Sequence, residues 1–273
     1  MNFRFAVVSL AAAGGAVVAS PFATEVISYD AGSNASPSYA DASNALGAAS
    51  RMTGAGGFIS GVTPFNPAFA TDQLVSVGSG GSLTLGFDRD ITDGPSHRFG
   101  VDLIVFSNAF FVDQSYFDAD PTNDGAGVLG PNPSIFGSDG VADVYVSADG
   151  VDWRLAATTS LNLFPTLGYS DFESATPTGP GVVPTDFTSA MNPSLSLADL
   201  ADMDFAQLAA LYGTSAGGVG IDISQTGLDL ARFVRIENNS ASAFSVDAVS
   251  VVPAPSGICL LAGLGALARR RRA

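Results

Sequence analysis

The sequence predicts an antiparallel β-sandwich interrupted by one short helical stretch, on three observations. Several short segments alternate polar and apolar side chains, as strands with one face on a core require. An Asp149-Gly150 pair stands between two β-prone runs, a strong hairpin signal. The joints are rich in turn formers, with 31 Gly and 15 Pro in 273 residues, which favours a sandwich over an alternating α/β chain.

Taken in order, Ser82-Leu83-Thr84-Leu85-Gly86-Phe87 alternates as a half-buried strand should. Asp102-Leu103-Ile104-Val105-Phe106 is a continuous apolar run bounded by turn residues and reads as a more fully buried strand. Ala142 to Ser147 and Val151 to Leu155 flank Ala148-Asp149-Gly150, where Gly150 supplies the positive φ that the turn needs. Arg232 to Ile236 and Phe244 to Val251 alternate again on either side of Asn238-Asn239-Ser240. The helical exception lies between Ser194 and Gly213. Ser196 with Asp199, and Asp204 with Gln207, have the spacing of capping boxes. They predict helices over Leu197–Ala201 and Phe205–Tyr212, the second stopped by Gly213. Phe205, Leu208 and Leu211 share a face expected to pack this connection onto the sheet edge.

Composition sets limits on chemistry. The chain is 47% hydrophobic, with 26 acidic residues against 11 basic ones, and every basic residue is Arg. Schiff-base and P-loop lysines are therefore excluded. One His and one Cys exclude a multi-His or Cys-based metal site within one chain, and an intrachain disulfide. The N-terminus has one positive charge at Arg4 and an uncharged apolar run from Phe5 to Ala19, the shape of a secretory leader with small residues suited to cleavage after Ala19 or after Ala23. Residues 1–23 are thus read as a signal peptide, 24–252 as a β-sandwich body and 253–273 as a tail. Without the two ends the body carries six Arg against all 26 acids, a net charge of −20. Such a body is repelled by nucleic acid and attracts cations.

The tail runs Val252-Pro253-Ala254-Pro255, then an uncharged stretch from Gly257 to Ala268, then Arg269-Arg270-Arg271-Arg272. This order closely resembles the PEP-CTERM sorting signal of exported bacterial proteins, with Ala254 where that family usually has Glu. The resemblance implies transient anchoring in the inner membrane, with the Arg cluster on the cytoplasmic side. It also implies processing by an exosortase-type enzyme and a final place at the cell surface or in extracellular matrix. Cys259, inside the apolar stretch, reads as a small hydrophobe.

Three strings in the body, Val144 to Trp153, Ala231 to Ile236 and Phe244 to Val249, resemble strand motifs of galactose-binding-like, discoidin-type jelly rolls. Ala42 to Ala48 resembles the early Ala-rich loop of such modules. The resemblance implies a jelly-roll body and a role in adhesion or polysaccharide association. The helical stretch and the long loop from Phe110 to Gly140 depart from the pattern, so no ligand site transfers by position.

Candidate chemistry is sparse. Asp118, Asp120, Thr122 and Asp124 gather oxygen ligands before Gly125, spaced like the first half of a calcium loop, although Pro131 stands where the closing acid belongs. The alternative is a solvated Asp-Gly turn. For Asp247, the jelly-roll resemblance implies a structural calcium ligand; the alternative is a strand-edge Asp facing water. His97, in Gly94-Pro95-Ser96-His97-Arg98, reads as an exposed loop residue, without the Gly-x-Ser-x-Gly elbow of a hydrolase. Trp153 reads as core, and Phe110-Phe111 and Tyr116-Phe117 as alternative stacking surfaces. No catalytic residue is assigned. The expectation is an exported, non-enzymatic surface or matrix protein; the alternative is a secreted carbohydrate-active hydrolase using paired Asp carboxylates. A shallow aromatic platform would favour binding, and a deep cleft with two facing acids would favour the enzyme.

Overall fold

The chain passes repeatedly between two β-layers. The computed structural model describes residues 19–54, 60–114, 127–136, 140–161, 163–172 and 180–253. Its strands are β1 (Glu25–Asp30), β2 (Val75–Val77), β3 (Ser82–Thr92), β4 (Leu103–Ser107), β5 (Phe110–Phe111), β6 (Ile135–Phe136), β7 (Val141–Ser147), β8 (Arg154–Ser160), β9 (Val219–Ile221), β10 (Leu230–Asn238) and β11 (Phe244–Val251). One sheet has the order β1-β3-β10-β7-β8 and the other β2-β11-β4-β9; β5 and β6 form a small ribbon. Every strand pair is antiparallel. The first four strands alternate between the two large sheets, and the last three do so again. This is the winding of a jelly-roll β-sandwich, the predicted architecture.

Period-two patterning places the core between the sheets. Leu83, Leu85, Val144, Val146, Val234 and Ile236 enter it from the five-stranded sheet, and Val75, Val77, Leu103, Val105, Val246 and Val249 from the other. The four-stranded sheet is also covered on its outer face. There Ile104, Phe106 and Ala248 pack against Phe187, Ala190 and Ala216 of long connections. Burial on both faces explains why β4 is apolar from Leu103 to Phe106, with Ser107 closing the strand. Arg51 fastens this outer layer: its guanidinium donates to the carbonyls of Gly168 and Thr185 and lies 4.2 Å over the Phe187 ring.

The hairpin between β7 and β8 forms as predicted, with Gly150 at φ 77°. The Asp149 carboxylate accepts from the backbone N–H groups of Val151 and Asp152, both at 2.9 Å. Those bonds, with one from Ser147, hold its carboxyl below the usual carboxylate range. β8 begins at Arg154 and not at Val151, because Val151 and Asp152 are spent on the turn.

Helix α1 spans Phe205–Tyr212 within the predicted bounds, behind a short 3-10 turn at Leu197–Leu200, and both capping boxes are present. Its expected packing on a sheet edge is corrected. Leu208 joins Leu200, Phe111 and Leu129, while Tyr212 joins Phe164, Leu167 and Met191. The helix therefore wedges two satellite clusters under the long loops. Among the described residues no helix is long and apolar enough to cross a membrane.

The packed body reaches back before Thr24. The carbonyl of Pro21 accepts from Val251 N–H at 2.7 Å, and Ala23 N–H donates to Val249 at 3.2 Å. Ala23 is fully buried.

Candidate functional site

The outward face of the five-stranded sheet carries the densest set of recognition side chains. Alternation puts Phe233, Arg235 and Glu237 of β10 outward, since Val234 and Ile236 point to the core. Register then sets Ser147 beside Phe233, Tyr145 beside Arg235 and Asp143 beside Glu237. Trp153, at the exit of the β7–β8 turn, completes the group. The Arg235 guanidinium lies 4.5 Å from the Trp153 ring centroid and 5.0 Å from that of Tyr145. Cation–π contact and stacking hold these three planes together.

Charge is arranged around this stack. Arg235 Nε is 2.8 Å from Glu237 Oε1, but the N–H does not point at the oxygen, so the contact is an ion pair and not an aligned hydrogen bond. Glu237 and Asp143 sit directly opposite each other, a like-charge pair that alone destabilises a sheet. Arg235 offsets it from one side. On the other, Asp143 accepts from the Thr158 hydroxyl and from Asn239 Nδ2 at 2.6 Å. Burial, Glu237 and Asp143 push the Tyr145 hydroxyl up, with Arg235 opposing them. Arg235 and Glu237 keep 28% and 29% of their side-chain surface, so both stay accessible on this face.

Trp153 is thus corrected from core residue to partly buried member of this platform. Sequence periodicity missed the reason: the tryptophan leaves the strand at the turn and finds its partner across two strands, in Arg235.

No protein-family model matches the chain, and no curated protein matches it. Among solved structures, a pectin-binding carbohydrate binding module is similar at a TM-score of 0.25 and 7% identity, covering 67% of this chain and 73% of the module. A CBM32 module of AlyQ, in complex with 4,5-unsaturated mannuronic acid, is similar at a TM-score of 0.29 and 9% identity, covering 86% and 98%. Any ligand of this chain has to be identified from its own side chains.

His97 is not an exposed loop residue. It is buried, and its Nδ1 lies 2.7 Å from Asp102 Oδ1, with both side chains at 0% exposure. Asp102 also accepts from Ile223 N–H at 2.9 Å. The pair ties the turn before β4 to the segment after β9. His97 Nε2 has no hydrogen-bond partner among the described residues, so no nucleophile is aligned with it. Neither partner was singled out as a pair from sequence, because Asp102 read as the first residue of a strand.

Asp247 does not sit at a strand edge facing water. It is 2% exposed in β11, and its two oxygens accept from Ser50 N–H at 2.9 Å and the Ser50 hydroxyl at 3.0 Å. Burial drives its carboxyl up to about 7 despite those bonds. The other proposed calcium ligands, Asp118, Asp120, Thr122 and Asp124, lie outside the described residues, as do Tyr116 and Phe117. The described metal-capable group is a different one: Asp93, Asp102 and Asp222 each offer an oxygen within 4.8 Å of the others. Calcium takes about six to eight oxygens, and Asp102 is already engaged by His97 and Ile223. Of the sorting motif, Val252 is buried and its N–H donates to Asp102 at 2.8 Å, while Pro253 is exposed. Ala254, Pro255 and Arg269 to Arg272 lie outside the described residues.

Proposed function

We propose that this chain is the body of an exported, non-enzymatic cell-surface or matrix protein that associates with polysaccharide through the outer face of its five-stranded sheet. The observation that carries the reading is the platform of Trp153, Tyr145 and Phe233 around Arg235. Aromatic edges and faces pack on the apolar faces of sugar rings, and Arg235, Glu237 and Asn239 offer donors and acceptors to hydroxyls. In this reading the leader exports the chain, and the tail of residues 253–273 holds it at the inner membrane until an exosortase-type enzyme processes it.

A hydrolase using two carboxylates has one observation in its favour, the opposed Asp143 and Glu237. Both Asp143 oxygens are held by Thr158 and Asn239, which leaves neither free for acid–base work.

A glycan array tests the reading. The protein is expected to bind a polysaccharide without shortening it, and the Trp153→Ala/Tyr145→Ala variant to lose that binding. No binding, with or without calcium, overturns polysaccharide association; release of oligosaccharides that stops in Glu237→Gln favours the hydrolase. Fractionation of cells expressing the chain with and without 253–273 tests the address: retention in the membrane fraction is expected to depend on that tail.

A further inference from the structure

We propose that a pocket beside the point where the chain leaves β11 is a binding site for a small α-amino acid, held by its two opposite charges. The pocket has a volume of ≈ 250 Å³ and lies between Ser96 and Arg98, of the turn before β4, and the segment of Asp186, Thr188 and Ser189. Val252, directly after β11, supplies part of its apolar lining. The inference goes beyond polysaccharide association and uses none of the platform residues.

Arg98 is placed by its neighbours. His97 is buried on Asp102, and the turn closes around it: His97 N–H donates to Gly94 at 2.9 Å, Gly100 N–H to His97 at 3.0 Å and Val101 N–H to Arg98 at 3.2 Å. Phe99 stands inside this turn at φ 60° and ψ 15°, the left-handed region that a bulky side chain avoids, and is 46% exposed. In that strained position its ring lies 4.9 Å from the Arg98 guanidinium, and Arg98 Nη1 donates to the Ser189 hydroxyl of the other wall at 3.2 Å. Strain of this kind collects at ligand sites; here it fixes where a cation stands.

The facing wall is held by its backbone. Asp186 N–H donates to Thr214 at 2.7 Å, and the Asp186 carbonyl accepts from Ser189 and Ala216, both at 3.2 Å. Asp186 Oδ1 accepts the N–H and the hydroxyl of Thr188, at 2.8 and 2.7 Å, which leaves Oδ2 without a partner among the described residues. The Asp186 charge also acts on Arg51, but the Arg51 N–H groups are spent on Gly168 and Thr185. Both walls are thus set before any ligand arrives, so little ordering cost falls on binding.

The charges select the ligand. Arg98 and Asp186 line one pocket, yet no ion pair joins them, and Arg98 has no acidic partner among the described residues of a body with net charge −20. A carboxylate matches the planar fork of a guanidinium, and an ammonium donates to a free carboxylate oxygen. An α-amino acid carries both groups on one carbon, and its charges sum to zero, as those of Arg98 and Asp186 do. A simple anion would leave Asp186 uncompensated, and a simple cation would do the same to Arg98. The hydroxyls of Ser96 and Ser189 are further donors for the carboxylate of the ligand. The volume is below the ~300–1,000 Å³ of drug-sized ligand sites, which suits a side chain no larger than that of alanine or serine.

Titration of the ¹⁵N-labelled full chain at constant ionic strength with glycine, alanine, acetate, ethanolamine and O-phosphoethanolamine tests this. Glycine or alanine is expected to shift the resonances of Arg98, Thr188 and Ser189 saturably at millimolar concentration, the strength that two exposed charge contacts allow. Acetate and ethanolamine, each carrying one of the two charges, are expected to leave those resonances in place. Arg98→Gln and Asp186→Asn are each expected to weaken amino-acid binding roughly fivefold or more, with melting temperature unchanged, and Trp153→Ala to leave it as it is. Asp186→Asn keeps an oxygen for the Thr188 donors, so weaker binding in that variant reports the charge and not the turn. Acetate or ethanolamine binding as tightly as glycine overturns the two-charge assignment. Tighter binding of O-phosphoethanolamine, which carries a net negative charge, overturns the amino-acid class. Absence of any saturable shift, or amino-acid binding unchanged in both variants, overturns the site.

Discussion

Asp247 and Ser50, 197 positions apart in the chain, close on each other inside the protein: the Asp247 carboxylate accepts both the backbone N–H and the hydroxyl of Ser50. Burial pushes that carboxyl from 3.8 up to about 7, which gives stability a definite pH dependence. Below about pH 4 the group is protonated in folded and unfolded chains alike. Between about 4 and 7 the unfolded chain releases the proton and the folded chain keeps it, so folding loses stability as pH rises, by up to about 4 kcal/mol, and the loss levels off above 7. Asp149, Asp171 and Asp199, whose carboxyls are held low by hydrogen bonds, contribute the opposite slope at lower pH. The contribution is therefore read as a difference. Urea unfolding of the parent and of Asp247→Asn from pH 4 to 8 is expected to show the variant gaining relative stability as pH rises. Parallel profiles would place the titration elsewhere.

The Asp102 carboxylate holds three donors, His97 Nδ1–H, the backbone N–H of Ile223 and, at 3.4 Å, that of Gly94. Asp102→Ala leaves all three without their acceptor, and a loss of about 3–5 kcal/mol is expected. Asp102→Asn keeps the shape and one acceptor, so it is expected to lose less. Chemical denaturation of the two variants side by side measures the difference.

The fold was legible in the sequence where patterning is local. The alternation in β10 and β11, the Asp149-Gly150 turn and the two capping boxes each depend on neighbours within a few residues. β2 and β9, each only three residues long, offered too short a pattern to read. The site was far less legible, because its contacts are long in sequence. Trp153 needs Arg235 and Asp247 needs Ser50; no spacing rule links them. His97 and Asp102 are only five apart, but a turn residue and a strand residue are read by different rules, and pairing across that boundary went unseen.

Gly78 tests how far the segment after β1, where Ser33 and Ser79 exchange two backbone hydrogen bonds, depends on close backbone approach to the β2–β3 turn. A methyl group there would stand 2.1 Å from Ser33 O and 2.6 Å from Ala35 N, atoms that cannot swing aside as a side-chain tip can. Gly78→Ala is expected to destabilise the protein by about 1–3 kcal/mol, measured by urea unfolding. Gly80→Ala is the contrast. It has φ 72° but nothing within 4 Å of its added Cβ, so backbone strain of about 1 kcal/mol is expected without the steric cost.

The N-terminal edge separates the two cleavage positions that the leader sequence allows. Cleavage after Ala23 would strip the Pro21 and Ala23 hydrogen bonds to β11, the edge-to-face contact of Phe22 with Phe187 at 6.5 Å, and a fully buried Ala23. It would also leave the carbonyl of Ala23 absent from Gly47 N–H, which it receives at 3.0 Å. Cleavage after Ala19 keeps all of these and adds a contact. Ser20 N is 3.3 Å from Asp88 Oδ2, so the ammonium freed there would face a carboxylate, a pairing worth up to about 1 kcal/mol at the surface. On the proposed reading of a chain with a cleaved leader, Ser20 is expected as its first residue, and intact-mass measurement of any secreted material distinguishes it from a Thr24 start. A chain engineered to begin at Thr24 is expected to melt at a lower temperature than one beginning at Ser20, since it loses at least two hydrogen bonds and an aromatic contact, together about 2–4 kcal/mol. Equal melting temperatures would show that the segment from Ser20 to Ala23 contributes nothing to the edge it covers.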